Sequence, residues 1–210
     1  MRAILEKIVS NKELHKKWLN TLSFMENAGA RKISDCEDPL TVDIVQLKHA
    51  AEEHRHAYYL KKQISRLDVS DCGNYHPFEL LAPIRTKQYL HHLDMKCSRY
   101  LKEQFNLEGK ALRYASYLFV TYAIEVRADL LYPVYQDVLT EHQSKVMVRS
   151  IILEEEGHLE EMTSMLGRFN PDWQQYADHV AAIETHLFQE WSGAIAQEVL
   201  AYESHTATVA

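Results

Sequence analysis

The stretch Ile152-Leu153-Glu154-Glu155-Glu156-Gly157-His158-Leu159-Glu160-Glu161-Met162 decides how this chain is read. It lies within a long helical pattern, so Glu155 and His158, three residues apart, project from one side of a helix. The same spacing occurs in the first half of the chain, in Ala51-Glu52-Glu53-His54-Arg55-His56, where the pair is Glu53 and His56. A carboxylate followed at i+3 by an imidazole on an inward face is how helical bundles hold two transition-metal ions. Such a site also takes one bare carboxylate from each of two further helices. The rest of the chain is therefore searched for two more helices, each with one acid at the right height.

Composition allows it. The chain has 210 residues, enough for a sizeable core, with only 6 Gly and 5 Pro. Helix formers dominate and punctuation is sparse, which predicts a mostly helical single domain, an all-α fold. A net charge of −7 argues against a generic nucleic-acid surface, and no nucleic-acid partner is expected. Cys36, Cys72 and Cys97 are scattered without a C-x-x-C, against a zinc knuckle or a rubredoxin-like iron site. The charged N-terminus does not resemble a signal peptide, and no apolar run approaches the ~18 residues of a membrane span. A cytoplasmic protein without a membrane partner is the expectation.

Core helices are predicted over residues 11–33, 39–67, 111–139 and 141–166, with a crossover helix over 83–105 and a C-terminal helix over 173–202. In the first, Glu26 lies on the buried stripe of Trp18, Leu22, Met25 and Ile33, and an acid on an apolar face is the informative kind of exception. Gly29 on that stripe would let a neighbouring helix approach closely. Asp38-Pro39 reads as the cap and first turn of the second helix, whose stripe holds His49, Glu53 and His56 on consecutive turns. A lone histidine on such a face is more often a satisfied core residue than a ligand; three titratable groups together shift the reading toward a site. In the third, Glu125 is embedded in a largely apolar stripe with Tyr122, Asp129 and Tyr132, and Pro133 should kink the helix or end it early. Thr140 with Gln143 looks like a capping box that opens the fourth. The last residues, 204–210, are expected to fray.

Helices joined by a short turn run antiparallel, so residues equidistant from the turn share a height. Glu26 and the Glu53/His56 pair are centred near Leu40, and Glu125 and the Glu155/His158 pair near Thr140 and Glu141. Both centres fall where capping residues already place turns. The two halves thus repeat one design.

On Glu26, Glu53, His56, Glu125, Glu155 and His158, the chain resembles the ferritin-like di-iron carboxylate superfamily. The hairpins carrying them cover about half of the chain. The resemblance implies a four-helix bundle with one long crossover and additional helices. It also implies two iron ions, with manganese or a mixed pair as alternatives, that Glu53 and Glu155 bridge. Glu26 and Glu125 would be terminal, and His56 and His158 would each bind one ion. Four carboxylates bring about −4 of charge, which roughly neutralises two divalent cations; without them so many buried acids would repel and take up protons. His49 and Asp129 are candidate outer partners of the ligands, and Tyr122 a candidate outer donor or redox residue, although an ordinary core tyrosine is the plainer reading. Glu52, Glu154, Glu156 and Glu161 point elsewhere and are expected to be solvated.

The expected activity is an oxidoreductase that uses dioxygen or peroxide on a small organic substrate, with electrons from a separate donor. Iron handling or peroxide removal is the alternative, and a metal-free interaction bundle the reading from another class. Exposed stripes on the crossover or final helix would make a homodimer reasonable.

Overall fold

The computed structural model describes residues 1–209 apart from Pro39 and Asp71, and only the backbone of 206–209. Among the described residues there are seven α-helices and no strand. They are α1 (Arg2–Ser10), α2 (Lys12–Asp35), α3 (Ile44–Ile64), α4 (Pro83–Phe105), α5 (Gly109–Glu141), α6 (Arg149–Phe169) and α7 (Trp173–Val209). No helix among them is long and apolar enough to cross a membrane.

The sequence does not announce α1, a short helix that buries Leu5 and Ile8 against α2, α5 and α7. Asn11 separates it from α2, its side chain accepting hydrogen bonds from the backbone of Glu13 and Leu14. That cap satisfies two of the donors every helix start leaves orphaned.

The α2–α3 hairpin is antiparallel and closely registered. Gln46 donates to the Ile33 carbonyl at 3.0 Å near the turn, and Ser23 to the Ala57 carbonyl at 2.7 Å further along. Two expectations about the turn fail. Asp38 does not cap a helix. Its carboxylate accepts from the backbone of Leu40 and Thr41 and folds the chain locally, while Pro39 lies outside the described residues. The helix begins at Ile44, capped by Asp43 onto Val45 and Gln46, and gives way at Ser65 to a single 3-10 turn ending at Leu67.

The α5–α6 turn is likewise displaced. Helix α5 runs unbroken through Pro133 to Glu141, so Pro133 does not end it. Thr140 and Gln143 form no capping box: the Thr140 hydroxyl donates back to the Gln136 carbonyl, and Gln143 adopts a left-handed φ of 50°. Helix α6 starts at Arg149, later than expected. In place of a capping side chain, Gln136 accepts from Val148 N–H at 2.8 Å and Gln63 from Met147 N–H at 3.2 Å.

Helix α4 spans the predicted 83–105, and α7 continues to Val209 instead of fraying after Tyr202. A stack of Trp18, Trp191 and Tyr89, with ring centroids 5.8 Å apart at each step, ties α2, α7 and α4 together. Each such pair adds about 0.5–1.5 kcal/mol beyond the area it buries. Helices α3 and α6 meet through polar contacts, and these set the heights of the two Glu-x-x-His pairs.

Candidate metal centre

Four helices bring the six residues together. Glu26, Glu53, His56 and Glu155 form one group whose ligand atoms all lie within 4.8 Å of one another; Glu53, Glu125, Glu155 and His158 form a second. Glu53 and Glu155 belong to both. Each group therefore combines two shared carboxylates with one private carboxylate and one imidazole. The His56 and His158 rings are 6.0 Å apart.

Electrostatics alone make this centre unfavourable. Burial and then the neighbouring Glu53 push the Glu26 carboxyl well above the usual range, and burial followed by Glu155 does the same to Glu125. Burial opposes ionisation of Glu155 too, but close contacts with Glu125, His158 and His56 outweigh it and hold Glu155 well below its ordinary value. Both imidazoles are buried, which disfavours charge. Even so, contacts with Glu155 and Glu53 raise His56 to about 12, and contacts with Glu155 and Glu52 raise His158 to about 9. Protons thus hold the cluster together where cations are lacking.

The outward nitrogen of each imidazole is already committed. His56 Nε2 lies 2.7 Å from Glu154 on the opposite helix, and His158 Nε2 lies 2.7 Å from Glu52. The arrangement is reciprocal: the acid just before each motif's glutamate bonds the other motif's histidine. With Nε2 directed outward, Nδ1 of each ring faces the carboxylates, where a cation would take the place of its proton. His56 Nδ1 is 3.1 Å from Glu155 but makes no aligned hydrogen bond, a buried nitrogen aimed at the cluster without a partner. His158 Nδ1 is 3.2 Å from Glu155. Arg55 binds Glu154 at 2.8 and 3.0 Å and Glu52 at 3.4 Å, closing the network at the surface.

His49 sits beside this system. Its Nε2 lies 2.8 Å from Glu161, its Nδ1 is 3.1 Å from the Tyr117 hydroxyl, and its ring centroid is 4.8 Å from that of His158. Burial lowers its pKa, so the neutral ring donates to Glu161 and accepts from Tyr117. It belongs to neither ligand group.

Glu52, Glu154 and Glu161 are therefore not simply solvated; only Glu156 is plainly exposed. One further expectation fails: Asp129 is exposed and pairs with no imidazole of the cluster. Tyr122 packs edge-on against Trp173, at 5.3 Å between centroids, as an ordinary packing tyrosine does. The tyrosine at the site is Tyr132, whose hydroxyl donates a hydrogen bond to Glu26. Burial and the Glu26 charge raise its pKa well above 10, so it stays a donor. Its place on the Glu125 stripe, two turns further on, was the available signal.

A cavity of about 370 Å³ opens between α2, α4 and α5 and ends on Glu26, Glu53, Glu125 and Glu155. Its walls are largely apolar, built from Leu22, Met25, Ile33, Val120, Ile124 and Leu131. Neither imidazole lines it. The centre thus has a carboxylate face turned to the cavity and a histidine face sealed by Glu52, Glu154 and Arg55. Gly29 also lines it, with nothing within 4 Å of where a Cβ would stand. The missing side chain leaves open space here instead of admitting a neighbouring helix.

No family model matches the chain, and neither the curated proteins nor the solved structures yield a match. Geometry and donor chemistry therefore carry the functional argument.

Proposed function

We propose that the chain is a non-haem di-metal oxidoreductase of ferritin-like architecture, acting with dioxygen or peroxide on a small organic substrate. One observation carries the reading: two groups of ligand atoms, one histidine each, share Glu53 and Glu155. Glu26, Glu53, His56 and Glu155 would hold one cation, and Glu53, Glu125, Glu155 and His158 would hold a second. The mixed oxygen and nitrogen donors favour iron or manganese, and neither group contains a cysteine. When bound, such a pair supplies redox chemistry toward oxygen that side chains alone lack.

The chain's own residues contribute the rest. Glu52 and Glu154 fix the orientation of the two imidazoles, and Tyr132 steadies Glu26 while offering a proton at its hydroxyl. The apolar cavity excludes water from the carboxylate face and has the size of a small-molecule site. It favours chemistry on an organic substrate over iron storage, and electrons come from a separate donor.

The test is metal analysis of protein produced in iron-supplemented and manganese-supplemented medium, together with oxygen consumption under a chemical reductant. Two ions per chain, lost in the double variant Glu53→Ala/Glu155→Ala, are expected. Metal-free protein from both media would end the proposal, and accumulation well beyond two irons would replace it with iron handling.

A further inference from the structure

Among the hydroxyl groups that line the cavity, one stands apart. Five hydroxyl groups line it, those of Tyr89, Ser116, Tyr117, Thr121 and Tyr132. Tyr89 donates to Glu184 at 2.7 Å, Ser116 pairs with Ser98 at 2.8 Å, Tyr117 meets His49, and Tyr132 donates to Glu26. Thr121 is only 9% exposed, yet among the described residues its hydroxyl has no hydrogen-bond partner. Buried hydroxyls are normally satisfied, and a threonine within a helix can turn back to the carbonyl four residues earlier. Thr21 and Thr140 do so at 2.8 Å. Thr121 does not, and it stands one turn before Glu125 on the same helix, on the cavity wall.

The charges of Lys32, Asp94 and Arg127 on the cavity wall are, by contrast, paired. Lys32 pairs with Asp94 at 2.9 Å, and Arg127 grips Glu184 through two bonds of 2.9 and 2.7 Å. An incoming anion would find both cations taken, and an incoming cation would find Glu184 held by Arg127 and the charge of Asp94 offset by Lys32, although Asp94 Oδ1 itself has no hydrogen-bond partner. Breaking either ion pair to admit a charged group leaves the other partner uncompensated.

We infer that this cavity takes an uncharged, mainly hydrocarbon substrate with a single hydroxyl- or carbonyl-type group that hydrogen-bonds to Thr121 beside Glu125. The inference names the substrate class of the proposed oxidoreductase and rests on that reading for its catalytic meaning, but binding can be measured without catalysis. Leu22, Met25, Ile33, Val120 and Ile124 hold the hydrocarbon, and the gap at Gly29 gives it room.

The experiment compares 1-hexanol, 1-chlorohexane, hexanoate and hexylamine by calorimetric titration of metal-free and metal-supplemented protein, with metal content measured on the same samples. 1-Hexanol should bind at least about tenfold tighter than hexanoate or hexylamine to the metal-supplemented protein. Thr121→Val should weaken 1-hexanol by about two- to tenfold, the worth of one hydrogen bond, and leave 1-chlorohexane unchanged. Gly29→Leu, whose Cβ would meet nothing within 4 Å, should abolish 1-hexanol binding; should that variant not fold, the Thr121→Val comparison decides alone. Equal binding of the charged probes, or parallel losses of alcohol and chloride in Thr121→Val, overturns the inference. Alcohol binding without metal uptake upholds the cavity assignment and defeats the oxidoreductase reading; metal uptake without alcohol binding does the reverse.

Discussion

Nε2 of His158 lies 2.7 Å from a carboxylate oxygen of Glu52, although the acid stands beside Glu53 on α3 and the imidazole belongs to α6. Its mirror contact joins His56 to Glu154 at the same distance. Each acid holds the opposite ring with Nδ1 inward. Glu52→Gln and Glu154→Gln should each lower metal affinity by about 10–100-fold while leaving the helical content of the metal-free protein intact, as competition with a chelator would show. Undiminished affinity in both variants would mean the contacts do not orient ligands.

The same protons predict opposite pH trends with and without metal. In the metal-free protein His158 is raised from 6.5 to about 9 and His56 to about 12. A raised folded-state value contributes stability that is fully present below the unfolded value and is lost as pH climbs through the folded one. Urea midpoints of metal-free protein should therefore fall between pH 7 and 9. Glu26 and Glu125, also raised, act in the same direction. Metal must displace the imidazole protons, so its apparent affinity should rise by about tenfold or more per pH unit from 6 to 8. A pH-independent affinity across that range would contradict His56 and His158 as ligands.

Removing the Tyr132 hydroxyl separates structural from ligand-steering roles. Tyr132→Phe removes a hydrogen bond from the half-buried Glu26, a loss of about 0.5–1.5 kcal/mol. The loss should appear in chemical denaturation of metal-free protein and shrink once metal is bound, because a cation then compensates Glu26. An equal loss in both states would show that Tyr132 matters only for packing.

Away from the centre, the Arg127–Glu184 pair joins α5 to α7, with Glu184 only 2% exposed. Arg127→Ala should destabilise by about 3–5 kcal/mol, since it strands a buried carboxylate, and Arg127→Met with Glu184→Leu should cost far less. Urea titrations of the two variants measure the difference. Similar losses in both would mean that packing, and not charge, governs this contact.

The sequence carried the helices and the six converging residues because both are written in local spacing. Period and i+3 placement put Glu53 with His56 and Glu155 with His158, and hairpin symmetry put Glu26 and Glu125 at their heights. The turns were less legible. Asp38 and Thr140 are good capping residues, but both spend their hydrogen bonds on local turns, and α6 is started by Gln136 and Gln63 from distant elements. The roles of Glu52 and Glu154 were hidden for a related reason. Each looks solvent-facing on its own helix and gains a partner only from the crossing of α3 with α6, which no single-helix pattern contains. Asp129 fails conversely: its spacing from Glu125 was right, but it sits on the exposed side.

Along α3 and α6 the partners run in strict counter-order, Lys48 and His49 to Glu161, Glu52 to His158, and Arg55 and His56 to Glu154. One extra residue inserted between Lys48 and His56 would swing everything beyond it by about 100° and break the later links together. Extra residues in the turns before Ile44 or Arg149 would cost only loop closure, well under 1 kcal/mol for a doubling in length. Across descendants of this chain, connector length can drift freely while the phase of these two helices stays locked.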